Sequence, residues 1–184
     1  YINHPWVVFD VYFEPNFIPI NKFRARRVVT VVHDFSFRRN PEWHPKDRVD
    51  FFEQNFDAGI RASDRILVDS EFTLREGLEF GLPKDRVELV YPGYEKEIFR
   101  ILPEEALAPV RAKYRLPEKF LFFVGSVEPR KNLRGLLQAY GMLPSAVRKD
   151  LPLVICGSEG WLEHRLLQDL KSGEGIRNVR FIGY

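Results

Sequence analysis

The segment 125–132 (GSVEPRKN) combines a glycine with two adjacent cations between an apolar run and an amphipathic stretch. This position predicts a loop that joins a strand to a helix, and Gly125 permits a sharp turn there. Arg130 and Lys131 stand at the start of the predicted helix, where exposed N–H groups and the macrodipole favour an anion. The pattern therefore predicts a diphosphate site, although it lacks the second glycine and the Ser or Thr of a Walker A loop. A solvated basic turn is the alternative.

A second candidate is the pair His33 and Asp34, which follows the apolar run 27–33. Polar residues that end such a run are typical of a buried parallel strand with a functional carboxyl end. His33 could donate a hydrogen bond to a sugar hydroxyl or a phosphate, with Asp34 fixing the tautomer of its ring. The alternative is a histidine that only caps the strand.

Four further residues are weaker candidates for contacts with a sugar or a nucleotide. Glu14 and Asn16 end a predicted strand, but Pro and Asn also favour an ordinary turn, which is the preferred interpretation. Gly157 begins the turn 157–160 between a strand and a helix, and Gly183 follows the last apolar run. A single glycine in such a turn is common, so these assignments depend on the other candidates.

Several kinds of site are absent from the sequence. It has no Asp-x-Asp pair and no Gly-x-Ser-x-Gly motif, and its four histidines have no metal-ligand spacing with the single cysteine, so no metal is predicted. The formal net charge of +2 is too small to indicate nucleic acid. Short basic runs at 24–27 and 38–39 favour a solvated surface over a contact with lipid headgroups. The histidines are His4, His33, His44 and His164, and the cysteine is Cys156.

Short β-rich runs that alternate with amphipathic stretches must position these residues. The alternation predicts α/β structure with parallel sheets, in which ligands bind beyond the carboxyl ends of the strands. Strands are expected at 27–33, 65–69, 86–90, 120–124, 153–156 and 179–182. Helices are expected at about 45–62, 71–80 and 132–140, and along Leu162, Leu166, Leu167 and Leu170.

The alternation stops once and then restarts, which predicts two doubly wound, Rossmann-like domains. Residues 1–93 form the first and 119–184 the second, joined by a proline-rich linker at 94–118 with one short helix. Each has only three or four strands, so both are expected to be incomplete in this chain. Hydrophobic residues make up 45% and charged residues 29%, which indicates a soluble globular protein, and a lone cysteine fits a reducing cytoplasm.

Five segments, taken in order, resemble family-4 retaining glycosyltransferases of the two-Rossmann GT-B fold. The resemblance is strongest to the branch that contains bacterial polysaccharide mannosyltransferases, and it extends from about Asp10 to the end of the chain. The segments are 28–37 (VVTVVHDFSF), 62–73 (ASDRILVDSEFT), 87–99 (VELVYPGYEKEIF), 120–133 (FLFFVGSVEPRKNL) and 179–184 (VRFIGY).

The resemblance implies roles for several candidate residues. Lys131 would bind the donor diphosphate with support from Arg130, and Gly125 and Ser126 would let the backbone approach the phosphates. His33 and Asp34 would face the transferred sugar. Many relatives have Arg at the position of Ser126, and related enzymes often have His where this chain has Phe13. The family's Glu-x7-Glu segment and its glycine-rich loop are expected outside this chain, so the chain alone is expected to be inactive.

The activity implied is retaining transfer of a hexose, with mannose favoured, by front-face attack and without a metal. The donor would be a nucleoside diphosphate sugar, GDP-mannose before UDP-sugars, and the acceptor a hydroxyl of a glycan or lipid-linked saccharide. The enzyme would act in the cytoplasm, where it could also associate peripherally with the inner face of the membrane. The alternatives are a non-catalytic nucleotide-binding or scaffold module and a sugar-nucleotide epimerase of the same fold.

Overall fold

The computed structural model describes residues 8–19, 24–161, 164–172 and 177–183. His4 and Leu162, both named above, and Tyr184, the last residue of the segment 179–184, lie outside these ranges. By its internal contacts the chain divides into two compact units, the first comprising Tyr1–Glu42 and Lys46–Tyr94 and the second Trp43–Pro45 and Glu95–Tyr184. Each unit contains a parallel sheet with helices between its strands, so the predicted α/β class is confirmed.

The first unit is built on a four-stranded parallel sheet in the order β1-β2-β3-β4. Its strands are β1 (Val8–Glu14), β2 (Arg24–Val32), β3 (Arg65–Val68) and β4 (Val87–Leu89). Its helices are α1 (Ser36–Arg39), α2 (Lys46–Ala62) and α3 (Glu71–Glu79), and a 3-10 turn at Pro41–Trp43 follows α1. Because neighbouring strands are parallel, their carboxyl ends meet at one edge of the sheet.

One face of this sheet is buried under aromatic side chains. Val32, Ile66 and Val68 have no exposed surface, and they pack with the rings of Phe35 and Phe56. Alternate residues of a strand point to opposite faces, which explains why this face is continuous across β2 and β3. The predicted helix at 45–62 is confirmed as α2, which supplies Phe56 to this core.

Helix α3 begins and ends as its sequence predicts. Ser70 is the N-cap, and its Oγ accepts a hydrogen bond of 3.1 Å from the backbone N–H of Thr73. Gly81 follows the helix with a φ of +87°, a left-handed conformation that glycine adopts without strain. These local signals place Asp69 immediately before the N-cap Ser70, directly after β3.

The second unit has a three-stranded parallel sheet in the order β5-β6-β7. Its strands are β5 (Leu121–Val124), β6 (Leu153–Cys156) and β7 (Val179–Phe181). Its helices are α4 (Glu104–Tyr114), α5 (Leu133–Met142), α6 (Ser145–Asp150) and α7 (His164–Ser172), and a 3-10 turn at Pro129–Lys131 precedes α5. No helix among the described residues has the length and apolar character needed to cross a bilayer.

The core of the second unit confirms the predicted apolar face of α5. Leu133, Leu137 and Tyr140 are almost fully buried, and they pack against Leu153 and Ile155 of β6. Residues three or four apart lie on one side of a helix, so this spacing gives α5 one apolar face that packs against the sheet. Leu166 and Leu170 of α7 pack against the same core.

Three features of the fold differ from the sequence prediction or add to it. Strand β2 begins at Arg24 because it pairs with the whole of β1, so the basic run 24–27 lies within a strand. The one short helix predicted in the linker is α4, which has 11 residues and continues through Pro109, a residue that usually interrupts a helix. Helices α1 and α6, of 4 and 6 residues, were not predicted, because a helix of one or two turns shows no clear periodicity.

Candidate functional site

Three glycines lie side by side at the carboxyl edge of the second sheet. The N–H of Gly125 donates to the carbonyl of Cys156 at 3.0 Å, and the N–H of Gly157 donates to the carbonyl of Gly183 at 2.9 Å. A Cβ atom on Gly157 would stand only 1.9 Å from the carbonyl oxygen of Gly125. The structure therefore brings together Gly125, Gly157 and Gly183, which the sequence predicted as separate site residues.

The loops after β5 and β6 stay paired beyond these glycines. The N–H of Val127 donates to the carbonyl of Ser158 at 3.1 Å, and the hydroxyls of Ser126 and Ser158 are 3.1 Å apart. A Cβ atom on Gly160 would stand 2.2 Å from the carbonyl oxygen of Val127. Backbone contacts thus hold both loops, and the two hydroxyls form a small polar group at the sheet edge. Ser158 was not among the predicted site residues.

Lys131 lies beside Gly125 at the start of α5. It ends the 3-10 turn, and Asn132 then adopts a φ of +50° and caps α5 by accepting a hydrogen bond of 3.3 Å from the N–H of Gly135. The predicted position of the cations at the helix start is confirmed. The Cδ of Lys131 lies 3.8 Å from where a Cβ of Gly125 would stand, so this exposed side chain passes over the glycine.

Arg130 differs from Lys131 because a buried carboxylate already contacts it. One terminal nitrogen of its guanidinium donates to Glu128 Oε1 at 3.0 Å, and the two side chains are 33% and 3% exposed. The other carboxylate oxygen of Glu128 is buried and has no hydrogen-bond partner among the described residues. Arg130 keeps further N–H donors for a ligand. Glu128 was not among the residues predicted for the site, although it lies only two residues before Arg130.

His33 is held at the carboxyl edge of the first sheet through both of its ring nitrogens. Nδ1 lies 3.1 Å from Oδ2 of Asp69, and Nε2 donates to the carbonyl of Pro15 at 2.9 Å. The ring of Phe17 meets the imidazole edge-on, with 5.4 Å between the ring centroids. The His33 side chain is 44% exposed, so the ring is anchored by protein groups while one side stays open.

The predicted pairing of His33 with Asp34 is wrong. Oδ1 of Asp34 accepts hydrogen bonds from the N–H and the hydroxyl of Ser36, at 2.9 and 2.7 Å, at the start of α1. Both ring nitrogens of His33 have partners other than Asp34. The partner of His33 comes instead from the adjacent strand. Val32 pairs with Val68, so His33 and Asp69 occupy equivalent positions on neighbouring strands.

Glu14 stabilises the turn after β1. Its buried carboxylate accepts hydrogen bonds from the N–H of Asn16 at 3.0 Å and from the hydroxyl of Tyr12 at 2.6 Å. These contacts agree with the ordinary turn preferred from the sequence. Asn16 is exposed at the same loop and remains a predicted sugar contact.

The basic run 38–39 is not a free cationic surface, because acidic side chains neutralise it. Arg38 contacts Asp57 of α2 at 2.6 Å, and Arg39 contacts Glu76 and Glu79 of α3 at 2.5 and 2.9 Å. These ion pairs connect α1 to the two longer helices. Arg38 and Arg39 are paired with carboxylates, which argues against a contact of this run with lipid headgroups.

Comparisons with known proteins agree with this arrangement. Residues 109–184 match the family model described as glycosyl transferases group 1. O-antigen chain mannosyltransferase B of Escherichia coli is 37% identical over 177 residues, which are 95% of this chain and 45% of that protein. The serotype-specific mannosyltransferase WbdA of Escherichia coli is 31% identical over 133 residues, 70% of this chain and 16% of that protein. The chain thus spans less than half the length of these curated relatives.

Solved structures show the same fold. HepE of Anabaena, crystallised with UDP-glucose, aligns with a TM-score of 0.62 at 17% identity over 86% of this chain and 42% of that protein. WaaG, a glycosyltransferase involved in lipopolysaccharide biosynthesis, aligns with a TM-score of 0.56 at 16% identity over 86% and 48% of the two chains. The fold is therefore that of the GT-B glycosyltransferases. Residues 109–184 belong to the group 1 glycosyltransferase family.

Proposed function

We propose that the protein carrying this chain transfers a mannosyl group from a nucleoside diphosphate sugar to a hydroxyl of a growing glycan or lipid-linked saccharide. The observation that carries the proposal is the convergence of Gly125, Gly157, Gly183 and Lys131 at one strand edge and one helix start. Mannose and GDP-mannose are favoured because the similarity to O-antigen chain mannosyltransferase B extends over 95% of this chain.

The donor diphosphate would lie on the glycine-lined edge of the second sheet. Glycines leave the backbone open to close approach, and the hydroxyl of Ser126 stands among them. Lys131 and the start of α5 would stabilise the negative charge that develops on the leaving diphosphate as the anomeric bond breaks. Arg130 would support them with the N–H donors that Glu128 leaves unused.

The reaction proposed is retaining, and the acceptor hydroxyl attacks on the side of the leaving group. His33 would donate a hydrogen bond to the transferred sugar, and Asp34 would support the loop that carries it through its bonds to Ser36. We propose that no metal is required, since Lys131, Arg130 and the helix start supply positive charge. The enzyme would work in the cytoplasm, where nucleotide sugars are the donors.

Substitution of Lys131 tests the proposal in the complete gene product. Lys131→Ala should reduce transfer from GDP-mannose about 100-fold, because loss of one such stabilising group costs about 3 kcal/mol. Lys149→Ala is the matched control, since Lys149 is an exposed lysine of α6 in the same unit. The assay would compare GDP-mannose, UDP-glucose and UDP-N-acetylglucosamine and determine the anomeric configuration of the product by NMR.

Three results would contradict different parts of the proposal. Equal rates for Lys131→Ala and Lys149→Ala would remove the diphosphate role of Lys131. Nucleotide binding without transfer to any acceptor would favour the non-catalytic module, and turnover without an acceptor alcohol would favour the epimerase. Loss of activity after chelation, restored by a divalent ion, would contradict metal-free transfer.

A further inference from the structure

The imidazole of His33 is fixed from three sides, and only one of the three contacts is with a charged group. The Pro15 carbonyl accepts from Nε2, and Phe17 supports the ring edge-on. The carboxylate of Asp69, 26% exposed, lies 3.1 Å from Nδ1. The orientation of the ring therefore depends on a carboxylate from the neighbouring strand.

Asp69 is itself held in place by the start of α3. It lies between the last residue of β3 and the N-cap Ser70, whose hydroxyl accepts from the N–H of Thr73. The hydroxyl of Thr73, which is 2% exposed, donates to the backbone carbonyl of His33 at 3.0 Å. One helix start thus fixes both the main chain of His33 and the residue that carries its carboxylate partner.

We propose that Asp69 is the positioning residue for His33 in the transfer reaction, an inference that rests on the proposed function. Asp69 sets the plane of the ring through its contact with Nδ1. Nε2 donates to the Pro15 carbonyl in this structure and would share that N–H with a sugar oxygen when the donor is bound. Asp69 acts through His33 and does not touch the substrate.

Stability alone does not explain the contact between Asp69 and His33. Partly exposed ion pairs contribute little to folding, and the cap of α3 is supplied by Ser70 rather than by Asp69. Asp34 does not take this role, because the two ring nitrogens contact Asp69 and the Pro15 carbonyl while Asp34 accepts from Ser36. What Asp69 determines is the direction in which Nε2 points.

A double-mutant cycle in the complete gene product separates positioning from a general effect. Asp69→Ala should lower kcat about 10- to 100-fold, the range expected for residues that are directly coupled. Asp69→Asn should recover much of this loss, because its amide group can hydrogen-bond Nδ1 in either tautomer of the ring. In a His33→Ala background, Asp69→Ala should change kcat less than about twofold, since the ring that it positions is gone.

Two controls make the cycle decisive. Melting temperatures of all variants show whether they fold, and Asp85→Asn removes an exposed carboxylate of the same unit without touching His33. In the 184-residue chain, the 15N signals of the His33 ring should move in Asp69→Ala and stay in place in Asp85→Asn.

Each outcome bears on a different claim. If Asp69→Ala lowers kcat equally with and without His33, Asp69 acts independently of the ring and the positioning role is overturned. The same conclusion follows if the 15N signals of the His33 ring do not move in Asp69→Ala. If the unmodified enzyme transfers no sugar, the proposed function fails, and the role of Asp69 in transfer fails with it.

Discussion

The first unit holds the loops at its strand ends through side chains, with Asp69 contacting His33 and Glu14 bonding the backbone of Asn16. The second unit holds its loops through the backbone, with glycines whose missing Cβ atoms allow one chain to lie against the next. The first arrangement presents oriented polar groups, as recognition of hydroxyls requires. The second leaves a surface of main chain and cations that suits a diphosphate.

The strongest test of this comparison is Gly157→Ala. The new methyl would stand 1.9 Å from the carbonyl oxygen of Gly125, so the loops must separate, and we expect a loss of about 3 kcal/mol or more in the free energy of unfolding. Urea unfolding measures it. Gly93→Ala is the matched control, because a Cβ there meets nothing within 4 Å, and its effect should be within about 0.5 kcal/mol. Equal effects would contradict the close-packed backbone.

A medium effect is expected in the second unit from Tyr140→Phe. The buried hydroxyl lies 3.1 to 3.2 Å from the carbonyl oxygens of Arg148, Leu151 and Asn178, so its loss should cost about 1 to 2 kcal/mol. Burial raises the pKa of Tyr140 above its usual value. The unfolded chain therefore ionises first, and stability should fall as pH rises above about 10.

Unfolding measured between neutral pH and pH 11 checks this prediction. Tyr140→Phe should remove part of the decrease in the free energy of unfolding at alkaline pH. An identical alkaline slope in both proteins would show that Tyr140 does not limit stability there.

The smallest effect is expected in the first unit from Asp64→Asn. The backbone N–H of Val28, and then Arg27, lower the pKa of Asp64 below its usual value. This contribution is present above about pH 4 and is lost as pH falls through the lower folded pKa. Because the pair is partly exposed, Asp64→Asn should cost about 0.5 kcal/mol or less at neutral pH. In the acid range the free energy of unfolding should depend less steeply on pH in Asp64→Asn than in the unmodified protein. The same pH dependence in both proteins would contradict the lowered pKa of Asp64.

Much of the fold could be predicted because its signals are local. The apolar runs that became β3, β5 and β6 end in polar residues or glycine, and the spacing of Leu133, Leu137 and Tyr140 defines the buried face of α5. Short helices lacked such a signal. The proline-rich segment 94–118 predicted one short helix without its bounds, and α4 extends through Pro109.

The site was predictable where it depends on a single loop. Gly125, Arg130 and Lys131 lie within seven residues, and the strand-to-helix turn alone indicates their position. The partners Asp69 and Glu128 were missed for a different reason. The periodicity of apolar residues does not show that a single carboxylate such as Glu128 is buried. The partner of His33 is Asp69, its neighbour in the sheet, whereas the prediction chose Asp34, its neighbour in the sequence.

Calorimetric titration of the complete gene product with GDP tests most directly whether the edge of the second sheet binds a nucleoside diphosphate. The unmodified protein should bind GDP, and Lys131→Ala should raise Kd about 10- to 100-fold, as expected when a charge-assisted contact is lost. Lys149→Ala should leave Kd unchanged. Equal Kd values for Lys131→Ala and the unmodified protein would contradict the assignment of the diphosphate to this loop.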